Sequence, residues 1–251
     1  MQGMLSQMFG TTDGMQILVM ILTRVFIVLT ILPVHEYAHA RMAKKLGDDT
    51  AERMGRLTLN PFRHLDPVGA ILLVFFGFGF AKPVPVNPGR FTNQEKRRGG
   101  MALTALAGPL SNLIMAFGAV IVFCVVNALT RSMVYANLEG EYFFYYTDRN
   151  FWYYVCSFLM QFSVINISLA VFNLLPIPPL DGSRIFGLLF PEKWMMAIEK
   201  YGFAFIIAIF FIFNRIAGVG NALGALTQNI FELMFRGIAA IVGLFGVQMV
   251  F

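Results

Sequence analysis

The sequence predicts an all-α membrane protein, a multi-pass helical bundle of about five to six membrane segments, and three observations carry that reading. Hydrophobic residues make up 57% of the 251 and charged residues only 13%, roughly half the charged fraction of a soluble domain. Several apolar runs reach or approach the ~20 residues needed to cross ~30 Å of hydrocarbon. The basic residues gather at the ends of those runs, which is how membrane segments are oriented. The third point also disposes of nucleic acid as a partner. A net charge of +5 and a pI near 9.4 belong here to segment ends, not to a basic patch. Cys124 and Cys156 lie in separate apolar runs, without metal-ligand spacing and without a disulfide framework. The N-terminus lacks a basic n-region and a small-residue cleavage site, so the first apolar segment is expected to remain. No repeat of 20–50 residues is present, and residues 1–251 are read as one membrane-embedded domain.

The first apolar run, Met15 to Val34, is interrupted by Arg24. A charge at the bilayer centre costs about 3 kcal/mol or more, so Arg24 belongs near an interface. The next basic cluster is Arg41, Lys44 and Lys45. At ~1.5 Å per residue a helix from Arg24 to Lys44 covers ~30 Å, one bilayer thickness. Residues 41–66 then form a polar, basic connection. Residues 67–81 are apolar but too short to span as a helix, and the run Pro83-Val84-Pro85-Val86-Asn87-Pro88 cannot continue one. A re-entrant or β-hairpin element near residues 67–88 is expected, returning the basic stretch 82–100 to the side of 41–66.

Further spans are expected at about Met101–Ala128, Phe151–Leu175 and Trp194–Phe213, with the aromatic, acidic loop 129–150 on the opposite side. Pro176, Pro178 and Pro179 stop the third span just before Asp181-Gly182. After Asn221 the chain is either a broken span or an interfacial helix carrying Glu232 and Arg236 at i,i+4 spacing. Gly220-xxx-Gly224 is a close-packing signal. Residues 191–251 are read as C-terminal membrane helices without a motif of their own.

The chemistry sits in His35-Glu36-Tyr37-Ala38-His39. Two histidines four apart on a helix face one point and can chelate one zinc, with the intervening glutamate as general base toward a water. Two histidines and a glutamate inside a membrane helix are costly and mark a functional site. Catalytic zinc takes three protein ligands and keeps one open position. The third ligand is His64, the only other histidine, or a carboxylate. Asp181 is the strongest candidate, ahead of Asp66, because the topology returns it to the side of His39. A turn-capping role for Asp181 stays open.

Four blocks resemble the site-2 proteases, intramembrane zinc metalloproteases, in their short form without a PDZ domain. Leu59-Asn60-Pro61-Phe62-Arg63-His64-Leu65-Asp66-Pro67-Val68-Gly69 looks like the second motif, and Ala81-Lys82-Pro83-Val84-Pro85-Val86-Asn87-Pro88 like the loop after it. Gly108-Pro109-Leu110-Ser111-Asn112 matches a small motif. Asn173-Leu174-Leu175-Pro176-Ile177-Pro178-Pro179-Leu180-Asp181-Gly182 looks like the third-ligand signature. With the histidine motif these core motifs cover residues 25–190 in family order. The resemblance implies one zinc per chain on His35, His39 and Asp181, Glu36 as catalytic base, and oxyanion or substrate roles for Asn173, Asn112 and His64.

The expected activity is hydrolysis of a peptide bond in or near the transmembrane segment of a membrane protein or peptide, at the cell membrane, with the active site toward the cytoplasmic side. Lipid bilayer and substrate are the expected partners; self-association is not fixed by the sequence. A zinc-bearing scaffold has no need of Glu36, and a metal transporter would want more ligands along a path. Ser163 and Asn166 are read as interhelical hydrogen-bonding groups. Gly77-Phe78-Gly79-Phe80 is read either as loose packing or as an edge for an unwound substrate strand.

Overall fold

A computed structural model describes residues 14–76, 81–130, 133–138, 141–146, 150–189 and 217–244. The first long helix, α1 (Gly14–Lys45), runs unbroken past Pro33 and carries the whole histidine motif. Two short helices follow, α2 (Thr50–Arg53) and α3 (Pro67–Phe76). The long helix α4 (Arg97–Thr130) leads to an antiparallel hairpin, β1 (Met133–Leu138) and β2 (Glu141–Tyr146), in register Met133 with Tyr146 and Leu138 with Glu141. Then come α5 (Phe151–Asn173), the single turn and a half of α6 (Asp181–Phe186), and α7 (Ala217–Leu244).

Three of these, α1, α4 and α5, are long and apolar enough to cross a membrane. Their outward faces explain why. On α4 the exposed side chains Leu103, Leu106, Leu110, Ile114, Phe117, Ile121, Val125 and Leu129 recur every three or four residues, while Ala102, Thr104, Ala105, Asn112, Ala116 and Asn127 are buried. The exposed face is apolar, the reverse of a water-facing helix. The expected span at 194–213 lies outside the described residues, as does Gly77-Phe78-Gly79-Phe80.

The hairpin expectation near 67–88 is corrected in part. Residues 67–76 are helical, and Asp66 Oδ1 caps that helix by accepting the Val68 and Gly69 N–H groups at 3.0 and 2.9 Å. Leu65 and Ala81 form a single antiparallel bridge, not a ladder. The strands that do form lie in 133–146, where the Tyr and Phe runs suit a sheet as well as an interface. After Asn221 the helix α7 is unbroken, and Arg236 Nη2 meets Glu232 at 3.2 Å. A Cβ at Gly224 would meet nothing within 4 Å among the described residues.

The chain divides into two units. One comprises residues 1–23, 114–167 and 227–251; its core includes Phe123, Cys124, Cys156, Phe231 and Phe235, with the Phe123 and Phe235 rings 6.0 Å apart. In this unit Ser163 and Asn166 donate to carbonyls of their own helix, Leu159 and Phe162, and among the described residues to no neighbouring one.

The other unit comprises residues 24–113 and 168–226 and holds the histidine motif. Here the connection 41–66 is more than a polar loop. Gly47 ends α1 at φ +105°, and Asp48 N–H returns to Ala43 O at 2.9 Å. Asp48 is fully buried, and its carboxylate ties Thr50 N–H (3.0 Å) to Asn87 N–H (2.7 Å). Thr92 N–H reaches Leu46 O at 2.9 Å. A Cβ on Gly47 would strike Thr92 Oγ1 and would also carry the cost of a positive φ, about 1–3 kcal/mol. Gly47→Ala is therefore expected to lower the unfolding midpoint in detergent; an unchanged midpoint would contradict this account of the joint.

Candidate active site

An α-helix places residues four apart on one face, one turn above the other. In α1 this brings His35 Nε2 and His39 Nε2 to 3.0 Å, their rings edge to face. Asp181 arrives from a distant stretch of chain. The last turn of α5 is closed by Leu174 N–H on Ala170 O, and the Pro-rich turn brings Leu180 N–H to Ile177 O. Asp181 then opens α6, with Leu180 and not Asp181 at the cap position. Gly182 backs directly onto the Leu174 and Leu175 carbonyls, where any Cβ would collide with backbone. The Asp181 carboxylate is thus released from a capping role. Its Oδ2 stands 3.2 Å from His35 Nε2 and 3.3 Å from His39 Nε2.

The three separations fit a metal. Two ligands of a tetrahedral zinc with bonds of about 2.0–2.1 Å stand about 3.3 Å apart. The hydrogen bonds behind the rings point the same way. His39 Nδ1 donates to Thr104 O at 2.7 Å, and His35 Nδ1 faces Asn112 Oδ1 at 3.3 Å. With Nδ1–H directed outward on both rings, neutral imidazoles turn bare Nε2 lone pairs inward. Asp181 Oδ2 is buried and receives no hydrogen bond. Three lone pairs aimed at one buried point call for a cation.

Glu36, beside His35 and nearly buried, has Oε2 held by Val84 N–H at 2.8 Å. Gly108 of α4 lies flat against the histidine pair. A Cβ there would overlap His39 and stand 2.6 Å from His35 Cε1. That contact gives a physical meaning to the Gly108-Pro109 block.

The other sequence candidates are placed as follows. Asn112 is buried and works on His35, with its Nδ2 unpartnered. Asn173 donates to Leu169 O at 2.9 Å within its own helix. His64 is buried in the 58–64 turn, its Nε2 2.7 Å from Thr58 O, and is not among the convergent ligand atoms. Burial pushes its pKa below the usual value. Sequence reasoning missed Thr104, whose contribution is a backbone carbonyl and so leaves no residue-type signal. It also missed Val84, which acts through its N–H.

The profile of Peptidase family M50 matches residues 23–213. Two proteins carrying the name "Putative zinc metalloprotease" are similar to the chain. YwhC of Bacillus subtilis (strain 168) is 41% identical over 74% of this chain and 80% of its own length. Rip2 of Mycolicibacterium smegmatis is 27% identical over 71% of this chain and 62% of its own length. No solved structure matches the chain significantly.

Groups behind metal ligands typically carry 10–100-fold in affinity. Asn112→Ala is expected to weaken zinc binding by about tenfold or more, and Gly108→Ala to weaken it by pushing the histidines apart, as measured by competition with a chelator. Unchanged affinity in both variants would contradict the roles given to these two residues.

Proposed function

Since the chain belongs to Peptidase family M50 and is an intramembrane zinc metalloprotease, we propose that His35, His39 and Asp181 hold its zinc and that Glu36 is the general base. The substrate is a peptide bond in or beside a transmembrane segment of another membrane protein. The observation that carries this reading is the convergence of two Nε2 atoms and one carboxylate oxygen within 3.3 Å of one another. When bound, zinc polarises the scissile carbonyl and lowers the pKa of water.

The chain's own residues do the rest. Thr104 O and Asn112 Oδ1 fix the two imidazoles. Glu36, one residue from His35, takes a proton from the attacking water and returns it to the leaving amine. Val84 N–H on Oε2 leaves the other carboxylate oxygen for that proton. Asn173, Asn112 and His64 are the remaining candidates for substrate and oxyanion contacts, and Asn112 reaches the site by way of His35.

Lengths support the topology. Helix α3, ten residues, is about 15 Å long and cannot cross 30 Å of hydrocarbon. The chain is back beside Leu65 at Ala81, which supports a re-entrant excursion. The basic stretches 41–66 and 82–100 then share the cytoplasmic side, from which water reaches His39. Further segments after residue 190 bring the total to about five to six. A substrate helix must unwind to expose its carbonyl, and the extended run after Ala81, beside Glu36, offers it an edge to pair with.

Cleavage of a membrane substrate in liposomes tests the assignment. Glu36→Gln is expected to cut at least about 100-fold more slowly than wild type while keeping its zinc, and Asp181→Ala to lose zinc. Equal product from wild type and Glu36→Gln, or full zinc in Asp181→Ala, would contradict it.

A further inference from the structure

Arg56 is buried at 7% exposure in the turn after α2. A buried guanidinium must find acceptors, and Arg56 finds backbone. Its Nη2 donates to Lys82 O at 2.6 Å and to Pro83 O at 3.3 Å. The Pro83 carbonyl and the Val84 N–H are the two ends of one planar peptide group. That same N–H donates to Glu36 Oε2 at 2.8 Å. A continuous line therefore runs from the Arg56 cation through a single rigid peptide to the Glu36 carboxylate, and hydrogen bonds in such a chain polarise one another.

The segment that carries this peptide is held at both ends. Lys82 N–H donates to His64 O at 2.8 Å, and Asn87 N–H to the buried Asp48 carboxylate at 2.7 Å. Pro83 and Pro85, each with a fixed φ, flank Val84. The ends set where the strap lies. Arg56 sets the rotation of the one peptide plane that reaches the active site. We propose that Arg56 is a positioning residue for Glu36, acting through the Pro83–Val84 peptide without touching substrate or metal ligands. Its loss frees that plane to turn, and Glu36 then samples rotamers in which its second oxygen no longer meets the water.

This inference rests on Glu36 being the base, and the test separates the two claims. The full chain in liposomes, with a transmembrane substrate, is compared as wild type, Arg56→Met, Arg56→Lys, Val84→Pro, the Arg56→Met/Val84→Pro double variant and Glu36→Gln. Arg56→Met and Val84→Pro are each expected to lower kcat about tenfold, the effect of roughly one hydrogen bond, with KM and zinc content unchanged. Because both act on one peptide, the double variant falls no further than the weaker single, and Arg56→Lys, which still reaches one carbonyl, recovers part of kcat. Hydrogen exchange at residues 82–87 quickens in Arg56→Met.

Wild-type kcat in Arg56→Met, a change in KM in place of kcat, loss of zinc, or multiplicative losses in the double variant would overturn the inference. Should Arg56→Met not fold, Arg56→Lys carries the test, and full kcat there overturns it. If Glu36→Gln is inactive while Arg56→Met is unimpaired, this inference alone fails. If Glu36→Gln is active, the assignment of the base fails.

Discussion

Two imidazole nitrogens and a carboxylate oxygen, all within 3.3 Å of each other, are mutually repulsive unless a positive charge lies between them. That requirement organises the site-bearing unit. It explains why α1 offers two histidines one turn apart and why a glycine of α4 lies flat against both rings. It explains why the Pro-rich turn ends in Asp181-Gly182, with no side chain at residue 182 to keep the backbone away from the end of α5. Each of these features would be a cost without the cation.

The proposed base is held differently from the proposed ligands. The imidazoles are steadied by Thr104 and Asn112 of α4, whereas Glu36 is steadied by a backbone N–H from the extended run after Ala81. The same run is the edge we propose for a substrate strand. Ligand geometry and base geometry are thus held by separate parts of the unit, one a membrane helix and the other a strap anchored by buried Asp48 and Arg56.

Much of this was legible in the sequence, and for identifiable reasons. Helical spacing alone brings His35 and His39 together, and the resemblance of the Asn-to-Gly block pointed to Asp181, which the structure brings beside them. The re-entrant stretch was legible only as a length too short to span. Its conformation was not, since a ten-residue apolar run bounded by prolines has no period that separates helix from strand. The hairpin at 133–146 was hidden because aromatic runs suit a membrane interface and a strand alike. Arg56 left no trace because its partners are carbonyls, available at any residue type. The apolar outward face of α4 hides in the same way, since inside and outside differ little in hydropathy and only burial distinguishes Leu106 from Ala105.

X-ray absorption at the zinc edge of the zinc-loaded protein tests the central claim most directly. The account predicts two imidazole nitrogens and two oxygens at about 2.0–2.1 Å, a spectrum unaltered by His64→Ala and rearranged by Asp181→Asn. A third imidazole lost in His64→Ala, with Asp181→Asn indistinguishable from wild type, would contradict it.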